Sequence, residues 1–155
     1  MQEESTTSLL NILNQTSKND IPSYIKEYGS DTPNTHIFSE YIAEQNGTIS
    51  AAQIIRNCAD YISRSYANEV LNGTKTNVSR DVILMLCIGA HMNRKMTRRV
   101  LANYGHRDLY PKNTRDIIIA TYINNKEFDL LRINDELNQY QLPILATEDK
   151  KKENQ

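Results

Sequence analysis

Tryptophan is missing from this chain, and only two phenylalanines accompany its nine tyrosines. A core built from it must rest on aliphatic side chains. Five glycines and four prolines among 155 residues leave few points where the backbone can turn sharply,. They also exclude the glycine-rich phosphate cradles, since neither G-x-x-x-x-G-K-[ST] nor G-x-G-x-x-G occurs,. The two cysteines, Cys58 and Cys87, stand far apart inside apolar helical patterns. That placement fits a pair of buried free thiols better than a disulfide or a metal site. The three histidines, His36, His91 and His106, have no partner at metal-ligand spacing, and no HExxH or CxxC occurs,. Each reads as a turn or surface residue. No nucleophile, acid–base pair, metal or cofactor site is legible, so no enzyme is expected.

An excess of charge of either sign is missing too, the net value being −1. Apolar runs stay well short of the ~20 residues that a membrane helix needs. The opening MQEESTTSLL is acidic and polar, unlike a signal peptide,. A cytoplasmic protein without membrane association is expected. One globular domain with a real hydrophobic core fits the length. The charge is unevenly spread. Residues 1–55 hold two basic and seven acidic side chains, residues 56–115 eleven and four, and residues 116–155 five and eight. Such a basic middle segment either presents a positive surface or merely decorates solvated helix faces.

Apolar spacing is helical throughout, and no segment alternates with period two. The pattern predicts an all-α fold. Short helices are expected over residues 8–14 and, capped by Asp20 with Pro22 in its first turn, up to Tyr28. A linker, Gly29-Ser30-Asp31-Thr32-Pro33-Asn34, follows. Residues 35–45 bury Ile37, Phe38, Tyr41 and Ile42 and stop at Asn46-Gly47. Ser79 opens a helix whose residues 82–88 are apolar on almost every side, which marks the centre of the fold. Asn93 starts the next, which ends at Tyr104 before Gly105. Asn113 or Thr114 caps a helix to Ile123. The last, near residues 127–140, is expected to bury Phe128, Leu130, Leu131, Ile133 and Leu137 before Pro143. Residues 148–155 are expected to be disordered.

The segment from Ile49 to Gly73 reads as two short helices and a turn. Ser50 with Gln53 forms a capping box, Ser63 is a second N-cap, and Gly73 can end the second helix. Ile54, Ile55, Cys58, Ile62, Ala67 and Val70 supply the seam between them. The outward face of the second helix carries Arg64, Ser65, Asn68, Glu69 and Asn72, types that can address base edges in a major groove.

Residues 35–92 resemble the phage-repressor-like (XRE-type) helix-turn-helix family. The matching segments are I-S-x-x-Q-I-I, I-S-R-S-Y-A-N-E-V-L-N-G-T-K and S-R-D-V-I-L-M-L-C-I-G-A. Downstream, the run from Leu109 to Asp116 looks like the helical extension of small bacterial members. The resemblance implies a lambda-repressor-like bundle of about five helices over residues 35–92. It further implies a packed extension over residues 93–145; an N-terminal helical arm and linker over residues 1–34 and a disordered tail over residues 146–155 complete the expected organisation.

Function follows from the same likeness. The chain is expected to be a sequence-specific, DNA-binding transcriptional regulator, a repressor acting as a homodimer on double-stranded DNA. Residues 63–72 would enter the major groove. Arg64, Ser65 and Glu69 would touch bases beside Asn68 and Asn72, and Ser63 would cap the helix and offer its hydroxyl to a phosphate. Tyr66 would lean on the sugar-phosphate backbone or pack inward. Gln53, Asn72, Thr74, Lys75 and Arg80 would hold phosphates. A separate face of Arg94, Lys95, Arg98 and Arg99 tracks phosphates, binds an acidic surface or is simply solvated.

One departure concerns the turn. Ala59-Asp60-Tyr61 replaces the family's usual small residue, and the loop is one or two residues longer. Tyr61 cannot take a positive φ cheaply. Either the first helix continues to Asp60 or the interhelical angle changes. The alternative function is an all-helical protein–protein interaction module, an adaptor or inhibitor that keeps the fold without binding DNA. Near-zero net charge, Glu69 and the irregular turn favour it.

Overall fold

The computed structural model describes residues 6–29 and 33–153. Among them all regular structure is helical, in ten α-helices and one short 3-10 turn. The chain divides into two compact units between Thr32 and Pro33.

The first unit contains α1 (Thr6–Asn14), a 3-10 turn (Lys18–Asp20) and α2 (Ile21–Tyr28). Pro22 sits in the first turn of α2, where its missing N–H leaves no orphan,. Asp20 precedes it without a side-chain capping bond. The Asp20 carboxylate instead accepts the Ser17 hydroxyl at 2.8 Å. Leu10, Leu13, Ile21 and Ile25 remain exposed.

The second unit starts with α3 (Ile37–Glu44), α4 (Ala51–Asn57) and α5 (Arg64–Leu71). It continues through α6 (Arg80–Gly89), α7 (Arg94–Asn103), α8 (Thr114–Asn124), α9 (Leu130–Gln139) and α10 (Glu148–Glu153). Residues 35–92 thus hold four helices rather than five, the fifth being α7 beyond Met92. The apolar run of α6 is buried along residues 82–89, and α4, α7 and α9 pack around it. α5 packs on α4, and α8 on α7 and α9.

Side chains cap six of these helices: Ser50, Ser63, Ser79, Asn93, Asn113 and Asp129 each accept a first-turn N–H. Each cap contributes about 1 kcal/mol. Short helices need that help, because few internal hydrogen bonds repay their nucleation. Glycine takes the left-handed conformation after α3, α5 and α7, at Gly47, Gly73 and Gly105. Elsewhere non-glycine residues do so: Asn46, His91, Lys126 and Gln141 have φ of 52, 57, 58 and 59°. At three of those ends the next N–H reaches back five residues to close the helix, as Met92 does to the Cys87 carbonyl at 3.0 Å,.

The thiols of Cys58 and Cys87 are free and buried as expected. Burial pushes the Cys58 thiol up to about 12 and raises that of Cys87 as well, so neither offers a thiolate,. Leu131 departs from expectation, being 58% exposed. The inner stripe of α9 runs through Leu130, Ile133, Asn134 and Leu137, and Leu131 lies about 100° from Leu130 around the axis,. Ile117 is likewise exposed on α8, whereas Ile118 and Ile119 are buried.

Two Arg-Asp pairs, each in the first turn of its helix, bridge α6 to α8 crosswise. Arg80 donates to both oxygens of Asp116 at 3.1 and 2.9 Å, and Arg115 to both oxygens of Asp81 at 2.8 and 2.9 Å. Arg80 also donates to the Arg107 and Asp108 carbonyls, both at 3.1 Å. Asp116, 1% exposed, accepts the Tyr110 N–H at 2.9 Å as well. Arg115 holds the Pro143 and Ile144 carbonyls at 2.9 and 3.2 Å.

The tail is correspondingly not disordered over residues 148–153. Leu145 and Ala146 are buried. Asn134 exchanges two hydrogen bonds with the Leu145 backbone, at 3.0 and 2.7 Å. α10 then forms with acidic residues in its first turn and lysines in its last, the polarity that a helix dipole favours,.

Burial works against the charge of Asp116, but the Arg80 guanidinium and the Tyr110 N–H outweigh it and hold the carboxyl below its ordinary value,. A carboxyl lowered on folding adds stability that is complete above its unfolded pKa, near 3.8. That stability drains as pH falls through the folded value. Urea titrations of Asp116→Asn should show a loss of about 3–5 kcal/mol at neutral pH. The gap to the parent protein should narrow on acidification. Arg80→Met with Asp116→Leu should recover only part of the loss, since Tyr110 N–H and two carbonyls lose their partner.

Candidate nucleic-acid interface

The helix pair of residues 50–73 is built locally much as its sequence suggests. Both bonds of the capping box are present: Gln53 N–H donates to Ser50 Oγ at 3.2 Å, and Ser50 N–H to Gln53 Oε1 at 2.8 Å. The seam residues Ile54, Cys58, Ile62, Ala67 and Val70 are all fully buried, with Ile55 half-buried beside them. α4 does not run on to Asp60. It stops at Asn57, and Cys58 begins a turn in which Tyr61 and Ile62 both donate to the Cys58 carbonyl at 3.0 Å. Tyr61 keeps a negative φ and is 6% exposed, so the longer turn is filled by a buried ring rather than eased by a small residue.

Contacts distant in sequence fix that pair against the rest of the unit. Thr147 donates its N–H and its hydroxyl to the Tyr61 carbonyl at 2.9 and 3.3 Å, so the C-terminal segment tethers the turn from outside. Gly89 lets α4 approach α6. A Cβ there would stand 2.6 Å from Cys58 Sγ and 3.2 Å from the Ile54 carbonyl. Gly73 brings the end of α5 against Thr35, whose carbonyl would lie 2.6 Å from an added Cβ.

On this frame α5 turns Arg64, Ser65 and Asn68 outward, all exposed, while Ala67, Val70 and Leu71 are buried beneath. Glu69 is half-buried at the edge of that face. Ser63 caps the helix by accepting the Tyr66 N–H at 3.3 Å. Asn72, at the C-cap, accepts the Thr74 N–H at 2.9 Å, and Thr74 and Lys75 follow it into solvent. Gln53 is exposed at the start of α4, its carbonyl oxygen engaged in the cap and its amide N–H groups left for another acceptor,.

Not every expected residue joins them. Arg80 is withdrawn: its guanidinium is spent on Asp116 and two carbonyls, and its side chain is 14% exposed. Tyr66 is half-buried and packs against the core, lining a cavity of about 610 Å³ with Ser79, Arg80 and Thr147. Of the other basic face, Lys95, Arg98 and Arg99 are exposed on α7, whereas Arg94 is held by Asp108 at 3.0 Å.

Arg56, which the sequence pattern does not single out, is the residue gained. It lines a groove of about 420 Å³ with Ala52, Ile55, Ala59 and Arg64. Two exposed guanidinium groups therefore flank one apolar floor. The signal was available in principle, since an arginine late in the first helix comes back beside the start of the second once the turn is made.

Set against protein-family models, curated proteins and solved structures, the chain matches none. What the interface can do rests on its own chemistry. Exposed donors at the N-terminal half of a rigidly backed helix suit base edges, and flanking cations suit phosphates. Among the described residues no helix is long and apolar enough to cross a membrane.

The close approach at Gly89 gives a direct check on how this pair is held. Gly89→Ala forces Cys58 and α4 outward and should cost about 1–3 kcal/mol in chemical denaturation, as overpacking does. An unchanged midpoint would show that α4 is free to shift.

Proposed function

We propose that this chain is a sequence-specific DNA-binding transcriptional regulator, a repressor that acts as a homodimer and reads the major groove with residues 63–72. The observation that carries this is the exposed array of Arg64, Ser65 and Asn68 on a helix whose opposite face is fully buried. Arg64 has the reach and geometry for a bidentate grip on guanine O6 and N7. Gln53, Arg56, Thr74 and Lys75 surround it as phosphate partners, while Arg80 takes no part. The resemblance to the XRE-type family supports the same use of α4 and α5, with α3, α6 and α7 completing a five-helix lambda-repressor-like bundle. One such helix pair covers little of a duplex, which favours two copies on half-sites about 34 Å apart.

The interaction-module reading keeps two specific supports. Glu69 stands at the edge of the reading face, and the loss of Arg80 to Asp116 leaves fewer cations around α5.

Selection from random duplex DNA at low and moderate salt separates the two. A regulator enriches a palindromic motif, and Arg64→Ala relaxes one position of each half-site by about 1–3 kcal/mol. Lys75→Ala weakens binding evenly across sequences and lowers the salt slope by about one. Binding that fades with salt and enriches nothing would sink the regulator in favour of the interaction module.

A further inference from the structure

A second cavity, of about 630 Å³, opens between α3, the N-terminus of α7 and the connection from α8 to α9. Its charged lining is all of one sign: Arg94, Lys95 and Lys126 border it beside His91, and no Asp or Glu does. Arg94 is partly neutralised by Asp108, so Lys95 and Lys126 supply the uncompensated charge. Both are exposed residues that line it. Phe128 lines the wall with its ring stacked on His91, the centroids 5.0 Å apart and the planes 16° from parallel.

His91 and Lys126 are two of the four described non-glycine residues in the left-handed region, where glycine would cost less,. Both are helix-end positions, and both deliver a nitrogen-bearing side chain to this one cavity. Its volume lies in the range of small-molecule sites and exceeds what a bare inorganic anion fills. Cations without a carboxylate select an anion, and a stacked aromatic pair offers a face to a planar ring.

We infer that this cavity binds a mononucleotide, its phosphate between Lys95 and Lys126 and its base against the His91–Phe128 pair. No residue of α4 or α5 lines the cavity, so the inference stands apart from the DNA-reading proposal.

Calorimetry on the full chain with AMP, GMP, CMP and UMP tests it, with the matching nucleosides and inorganic phosphate as half-ligands. At least one nucleotide should bind with Kd below about 1 mM, and its nucleoside and phosphate about tenfold or more weaker. Lys95→Gln with Lys126→Gln, both at exposed positions, should weaken the nucleotide by about tenfold or more. The melting temperature should stay unchanged, and Arg64→Ala should leave nucleotide affinity as it was. No binding by any of the four overturns the inference. So does phosphate binding as tightly as the nucleotide, or an indifferent double lysine variant. If nucleotides fail while the double variant loses affinity for duplex DNA, the cavity belongs to a DNA-facing surface instead.

Discussion

The crossed pairing of Arg80 with Asp116 and of Asp81 with Arg115 is the constraint on which the second unit depends. Each helix contributes one cation and one anion from its first turn, so each charge is met by its opposite. Carboxylates also sit well at helix N-termini, where the backbone dipole favours them. The arginines reach further than their carboxylate partners. Arg80 gathers two carbonyls of residues 107–108, and Arg115 two of residues 143–144. Two guanidinium groups thereby fix α6, α8, the segment between α7 and α8 and the segment after α9. Partly buried ions are costly to desolvate, and removing one partner leaves the other stranded. That asymmetry makes the cluster a specifier of arrangement more than a source of net stability.

The helix α5 inherits its position from that cluster. α6 carries Gly89, the surface on which α4 rests, and α4 in turn backs α5. The segment fixed by Arg115 and Asn134 ends at Thr147, which holds the turn between α4 and α5 by the Tyr61 carbonyl. A side chain on the exposed face of α5 is thus held from the core side through α6 and from the solvent side through residues 143–147. Preorganisation of this kind is what lets a few polar contacts discriminate between ligands.

What could be read from sequence was what depends on neighbours in sequence. The capping residues Ser50, Ser63, Ser79, Asn93 and Asn113 announce themselves, because a cap bonds an N–H only two or three residues away,. The buried run of α6 is equally local. Helix ends without glycine were harder. His91, Lys126 and Gln141 adopt the left-handed conformation because a following N–H closes the helix, which their own identity does not reveal. Leu131 shows the limit of hydrophobicity alone, since one step around the axis moves a leucine from core to surface. Arg80 shows the limit for the interface. Its position after α5 suggested a phosphate contact, but the partner that claims it is 36 residues further on. The ordered end of the chain escaped for the same reason. A charged, lysine-rich stretch looks disordered until the anchors at residues 145–147 are seen.

The bond between Thr147 and Tyr61 joins residues 86 apart in the chain. On a ribosome, residues 51–71 emerge long before Thr147 is synthesised. Contacts of such separation form late, after the loop between them has been closed by everything else. Through that interval the turn has only its own two backbone bonds, since the side chain of Tyr61 finds its partner in Asn134 of α9. The order of synthesis therefore delivers the helix pair first and its outer tether afterwards. A nascent chain passes through a stage in which every residue of this pair is present but its outer fastening is not.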